Sequence, residues 1–219
     1  MKREQEVATT ARTDGLIDRL AAQAGGSQLG GPLTFKVALV AAAVASLGLS
    51  VALVLAWLGT RPDLAMQSLP FAYKIASMLA LGLAGLVLAC RAALPSSGKL
   101  TATAFLPAVL ILAFRAATDR SGLSALGNSD ISAGGCVLTI MGASVPALII
   151  LLGVMRMGAV TRPALAGAIV GALSGSLGAI AYALACKNDA GLFVAIWYPL
   201  AVVVTAAVGA ITGKRALTW

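Results

Sequence analysis

The chain of 219 residues contains no histidine and only three cysteines. Without histidine the usual zinc and haem ligand sets cannot be assembled, and the cysteines follow no zinc spacing, so no cofactor is expected. Charge is nearly as scarce. Asp, Glu, Lys and Arg make up 11% of the chain, where a soluble domain carries about 25%. With 59% hydrophobic residues and a mean hydropathy of +0.95, the composition excludes a soluble globular protein and specifies an integral membrane protein. Acidic residues number 8 against 16 basic ones. The net charge of +8 raises the question of nucleic acid, but the position of the charge answers it. Lys2, Arg3, Arg12 and Arg19 are balanced by Glu4, Glu6, Asp14 and Asp18 within the first 35 residues. The surplus lies in short connections between apolar segments, where it sets orientation in the bilayer. The expected surroundings are membrane lipid, with no direct nucleic-acid contact. The N-terminus also lacks an early apolar core and a cleavage site, so the first apolar segment is expected to serve as the insertion signal.

What the chain does have is organised around residues 161–189, TRPALAGAIVGALSGSLGAIAYALACKND. Thr161 is suited to cap a helix, and Pro163 fits its first turn, where a missing N–H does no harm. The stretch is then uncharged to Cys186, long enough to cross a hydrocarbon core of roughly 30 Å at about 1.5 Å per residue. Every fourth position from Pro163 is small: Gly167, Gly171, Gly175, Ala179, Ala183. Such a ridge lets a neighbouring backbone come close, which matters in lipid because apolar side chains gain little there by leaving the tails. Glycine and alanine are also simply common in membrane helices.

Residues 1–35 form a polar tail and linker, and residues 36–219 the transmembrane domain. In the tail, Thr13 or Asp14 can cap a short helix with Leu16, Ile17, Leu20, Ala21 and Ala24 on one face. Asp14 and Asp18 in its first turns suit the helix dipole. The segment reads as an amphipathic peptide in need of a partner, a protein groove or the membrane surface. Gly25, Gly26, Gly30, Gly31 and Pro32 link it to the membrane.

Six apolar segments follow, at about 37–58, 71–90, 100–117, 132–155, 163–186 and 192–213. The fold class expected is all-α, a polytopic transmembrane helix bundle of six spans. The third segment is the weakest, because Lys99 and Arg115 leave a short uncharged interior, so five spans is the alternative count. With the N-terminus inside, Arg61, Lys74, Arg115, Arg120 and Lys187 fall outside and the remaining eleven basic residues inside. That asymmetry predicts N-in, C-in. Phe193, Trp197 and Tyr198 then lie near the outer interface.

No Asp, Glu, Lys or Arg occupies the central part of any segment. Coupled transporters keep ionisable residues at depth, and intramembrane enzymes need a nucleophile, base or metal there. Pro146 and Pro199 can kink their helices without making a transport site. The chain is therefore not expected to be an enzyme. A small membrane transporter or channel stays as the alternative function, and a structural membrane subunit as a third. Cys90 closes the second segment at the cytoplasmic face, a packing position. Cys136 opens the fourth segment and Cys186 closes the fifth, both at the outer boundary. These two segments share the short connection 156–162 and should be antiparallel neighbours, with the thiols close together. A disulfide needs Cα atoms within roughly 4.4–6.8 Å, nearer than the usual 8–10 Å between helix axes, an approach the small-residue ridge would permit. Two thiols in an oxidising compartment can cycle between dithiol and disulfide or bind a soft metal ion. Equally, they can be two small buried residues or a purely structural bond.

The chain resembles the NrsF-type anti-sigma factors, six-span inner-membrane proteins of bacteria that restrain an extracytoplasmic-function sigma factor. The likeness appears in TDGLIDRLAA (13–22), GTRPDL (59–64) and Cys136. It is densest in TRPALAGAIVGALSGSLGAIAYALAC (161–186) followed by LFVAIWY (192–198). The resemblance implies that the N-terminal segment binds the sigma factor, through Asp14, Leu16, Ile17, Asp18 and Leu20. It implies further that Cys136 and Cys186 sense heavy-metal or oxidative stress, as thiols or as ligands of a soft metal. Family members often have a histidine before the second cysteine, where this chain has Ala185. That departure favours thiol chemistry over a mixed ligand set.

Overall fold

A computed structural model describes residues 13–19, 32–61, 69–93, 102–119, 122 and 132–218. Every regular element among them is a helix: α1 (13–19), α2 (Pro32–Leu58), α3 (Leu69–Ala92), α4 (Leu106–Ala117), α5 (Ala133–Met155), α6 (Pro163–Ala183) and α7 (Gly191–Ala216). Five of these, α2, α3, α5, α6 and α7, are long and apolar enough to cross a membrane. The third apolar segment becomes a 3-10 turn, Ala102–Phe105, leading into α4. Together they reach about 26 Å, short of a hydrocarbon core of roughly 30 Å. The short charge-free interior noted in the sequence has this consequence.

With the short α4 counted between α3 and α5, the helices α2 to α7 run alternately up and down, so the long helices α3, α5 and α7 share one direction and α2 and α6 the other. At one end, the Ala159 N–H donates to Ala93 O (3.1 Å) and Arg156 Nε to Ala216 O (2.9 Å), joining the close of α3, the α5–α6 connection and the close of α7. At the other end meet the close of α2, the start of α3, the close of α4, the start of α5 and the α6–α7 connection. The candidate site lies there.

α6 is the axis of the bundle. It packs against α2, α3, α5 and α7, and 78% of its apolar window is buried, against 28% for α2. Small residues permit this, since four neighbours can surround a helix only if its side chains are short. Several hydroxyls inside the bundle turn back on their own helix: Ser174 donates to Val170 O (2.8 Å), Ser176 to Leu173 O (2.7 Å) and Thr205 to Ala201 O (2.8 Å). Ser50 instead reaches across from α2 to Ala143 O on α5 (2.8 Å). The outward faces carry Leu33, Trp57, Leu138, Ile149 and Val203, all strongly exposed. In water that would be a liability, but in a bilayer it is the solvent-matched surface.

Two sequence expectations change. Arg162, not Thr161, occupies the N-cap of α6, with no side-chain capping bond, although Pro163 does sit in the first turn. The glycine ridge turns toward α7 rather than α5, as described below.

Candidate functional site

α5 starts cleanly because the Ser132 hydroxyl accepts from the Gly135 N–H (3.1 Å), capping the helix one turn ahead of Cys136. α6 ends in a tightened turn, with Leu184 N–H donating to Ala181 O (3.3 Å) and both the Ala185 and Cys186 N–H groups donating to Tyr182 O (3.0 and 2.9 Å). Cys186 thus stands one turn beyond the helix. Cys136 and Cys186, 0% and 2% exposed, belong to one apolar cluster with Ile140, Tyr182, Phe193 and Tyr198. Tyr182 and Tyr198 lie beside both thiols, their rings 6.1 Å apart. The thiols are unbonded, and Cys186 Sγ points at Asn188 O (3.8 Å). Cys90 is separate from them, half-buried against the cluster at the opposite end.

Directly over this pair sits an ion cluster that sequence reasoning did not assemble. Gly59, with φ +73°, stops α2 in the left-handed conformation that glycine adopts without steric cost. The chain then turns so that the Arg61 N–H donates to Leu184 O (3.1 Å). The Arg61 guanidinium grips Asp189 with two prongs (3.0 and 2.8 Å) and donates to Cys186 O (3.3 Å). Lys74, from the second turn of α3, pairs with Asp189 (2.8 Å) and donates to Asn188 O (2.9 Å) and Cys186 O (3.3 Å). The Lys74 side chain is 1% exposed and that of Arg61 3%, so both cations depend on the carboxylate. Removing one partner of such a group costs about 3–5 kcal/mol, because it strands the others. Arg115 closes the ring from α4, donating to Asp189 O (3.3 Å) and pairing with Asp119 (3.6 Å), whose carboxylate caps the Leu192 N–H (3.1 Å).

Burial pushes the Asp189 carboxyl up, but the Arg61 hydrogen bonds and the Lys74 charge outweigh it and hold the group below its ordinary value. The carboxylate therefore contributes stability that is present at neutral pH and lost only as the pH falls through that depressed value. In the sequence Arg61, Lys74 and Arg115 read only as outer-side charges. Two signals were available: Lys74 sits inside an apolar segment, and carboxylates are rare in this chain.

The ridge residues Gly167, Gly171 and Gly175 all face α7. A Cβ on Gly167 would strike Gly209 O and come 2.8 Å from Gly213 Cα. One on Gly171 would stand 2.5 Å from Thr205 O, and one on Gly175 3.0 Å from Val202 Cα. Gly209 and Gly213 answer from α7, so the contact is glycine on glycine. The α5–α6 approach near the thiols is made instead by Gly178, set against Ser144 and Ile140 O.

Of the tail residues, Asp14, Leu16, Ile17 and Asp18 lie on α1, which is exposed along its whole length. Leu16 and Ile17 are each 57% exposed. Leu20 lies outside the described residues. Among the described residues no group of three His, Cys, Asp or Glu is placed to hold a metal ion. The thiol pair alone could offer two soft ligands, the set that suits a thiophilic cation.

The sequence matches the family described as NrsF: Negative regulator of sigma F, over residues 24–219. It is 34% identical over 220 aligned residues to the Anti-sigma-F factor NrsF of Caulobacter vibrioides (strain NA1000 / CB15N), covering 95% of this chain and 100% of the relative. It is 39% identical over 84 residues to the Probable anti-sigma-F factor NrsF of Azospira oryzae, covering 38% of this chain and 39% of that one. No solved structure matches. A match over nearly the whole chain, with a relative aligned end to end, places this helical membrane-type protein in the NrsF family of negative regulators of sigma F.

Proposed function

We propose that the protein is a non-enzymatic anti-sigma factor of the bacterial inner membrane. Its cytoplasmic N-terminal tail sequesters an extracytoplasmic-function sigma factor and releases it when Cys136 and Cys186 respond to oxidative or heavy-metal stress. The observation that carries the anti-sigma reading is the full-length similarity to the Caulobacter protein bearing that name. The thiol half is supported by two unbonded cysteines, one on α5 and one in the turn after α6, meeting in one buried cluster.

With both termini cytoplasmic, the thiol pair faces the oxidising side of the membrane. There an oxidant of the peroxide or quinone class takes two electrons from the dithiol as the S–S bond forms and two protons leave. Alternatively a soft divalent metal displaces both protons and bridges the two sulfurs. Either event changes how the Cys186 turn sits against α5. To weaken tail–sigma binding tenfold, it needs to supply only about 1.4 kcal/mol of differential stability.

The buried ionisable residues lie at one end of the bundle and are paired with Asp189 and Asp119. Between the ends, the described buried polar groups are hydroxyls. That arrangement favours a sensor over a conduction path.

Cys136→Ser and Cys186→Ser should each leave the sigma factor bound in the presence of the inducing oxidant or metal. A sigma-dependent reporter in strains carrying each variant reads this directly, with induction expected to fall to the uninduced level. Normal induction in both strains would refute the thiol mechanism.

A further inference from the structure

The turn bearing Cys186 is held at four points by Arg61 and Lys74, in addition to the Arg115 contact with Asp189 O. The Arg61 N–H takes Leu184 O, Arg61 and Lys74 share Cys186 O, Lys74 takes Asn188 O, and both cations hold the Asp189 carboxylate. Beneath it the thiols are nearly inaccessible, so a reagent reaches them only after the turn lifts. Lifting it breaks the grip of Arg61 and Lys74.

Arg61 also stands at the close of α2. The opposite end of α2 begins at Pro32 and follows the tail directly. Of the five long apolar helices, α2 is the least buried, at 28% against 33–78% for the others. It is the long helix most easily displaced, since fewer of its contacts have to be remade.

We infer that Arg61 and Lys74, by gripping Asp189, hold the Cys186 turn closed over the thiol pair and couple its position to α2, the helix that carries the tail. These are positioning residues: neither exchanges electrons or protons with the stimulus. When Cys186 bonds to Cys136 or shares a metal with it, its backbone shifts toward α5, its carbonyl leaves both cations, and the outer end of α2 is released. This inference rests on the thiol-sensor reading above.

The test uses the full chain in detergent, in a Cys90→Ser background, with Arg61→Lys and Asp189→Asn. Arg61→Lys keeps the charge and removes the two-pronged grip, whereas Asp189→Asn keeps the shape and removes the charge. The first readout is the rate at which a maleimide alkylates Cys136 and Cys186, and the second is retention of the sigma factor without any inducer. Both variants are expected to be alkylated at least about tenfold faster and to hold the sigma factor about tenfold less tightly. An unchanged alkylation rate in a variant that melts like wild type would overturn the gate. Faster alkylation with unchanged retention would overturn the coupling to α2.

Should both variants fail to fold, the wild-type chain decides. Oxidation with diamide is expected to raise amide exchange at 59–61, where the Arg61 N–H is bonded to Leu184 O. Unchanged protection there after the disulfide has formed would overturn the inference. A wild-type chain that captures no sigma factor at all would defeat the anti-sigma reading, while the alkylation rates still judge the gate.

Discussion

Gly171→Leu should abolish the folded bundle, whereas Gly142→Leu on the outward face of α5 should leave it intact. At Gly171 even a methyl group meets backbone, 2.5 Å from Thr205 O and 2.8 Å from Ala206 Cα. Backbone cannot rotate away as a side-chain tip can, so α6 and α7 must separate along their length. Overpacking a well-packed core costs about 1–3 kcal/mol when side chains can adjust, and here the obstruction is rigid, which puts the cost at the upper end or beyond. Separation also forfeits the close contacts at Gly167 and Gly175, because the three glycines share one face. In a bilayer those contacts are what hold two helices together. At Gly142, by contrast, nothing lies within 4 Å of an added Cβ. Thermal unfolding in detergent would distinguish the two: no cooperative transition for Gly171→Leu and a near wild-type midpoint for Gly142→Leu. Equal midpoints would mean that the α6–α7 contact is not the structural axis.

The second large effect concerns binding and should leave stability untouched. Leu16 and Ile17 are exposed on α1 in the protein alone, so Leu16→Glu with Ile17→Glu removes no folded-state packing. In a complex each would bury an apolar side chain worth about 1.5–3 kcal/mol. Losing both forfeits roughly 3–6 kcal/mol, at least about 100-fold in affinity. The double variant should therefore melt like wild type while its affinity for the sigma factor collapses. Titration of the purified chain with the sigma factor checks this. Full affinity in the double variant would show that the apolar face of α1 is not the recognition element.

The all-α class and the positions of the five long apolar helices were legible in the sequence, because membrane helices declare themselves through length and hydropathy, which are local properties. The remaining expected span, the third, is instead a short helix. The shortness of the third segment was legible for the same reason: Lys99 and Arg115 bracket it. The nearness of Cys136 and Cys186 followed from a short connection and the antiparallel rule. The direction of the glycine ridge did not follow. A small-residue face shows that something packs closely on it, and it took the matching Gly209 and Gly213 to identify α7 as the partner. The cap of α6 was misassigned for a smaller reason, since the turn before Pro163 places Arg162 rather than Thr161 at the boundary. Least legible was the cluster of Arg61, Lys74 and Asp189. In a charge count Arg61 and Lys74 are outer-side cations that set topology, and only the fold brings them from α2 and α3 onto one carboxylate in the α6–α7 turn. Burial of a charge is a tertiary property and leaves little trace in a single chain.

The most direct measurement is co-purification. The full chain is co-expressed with the organism's extracytoplasmic-function sigma factors and extracted in detergent, alongside a chain lacking residues 1–25. One sigma factor should be retained by the full chain and lost on truncation, which would make the tail the binding element of a membrane anti-sigma factor. If the full chain retains none, in oxidising or in reducing buffer, the anti-sigma function does not hold for this protein and a transport role becomes the leading alternative.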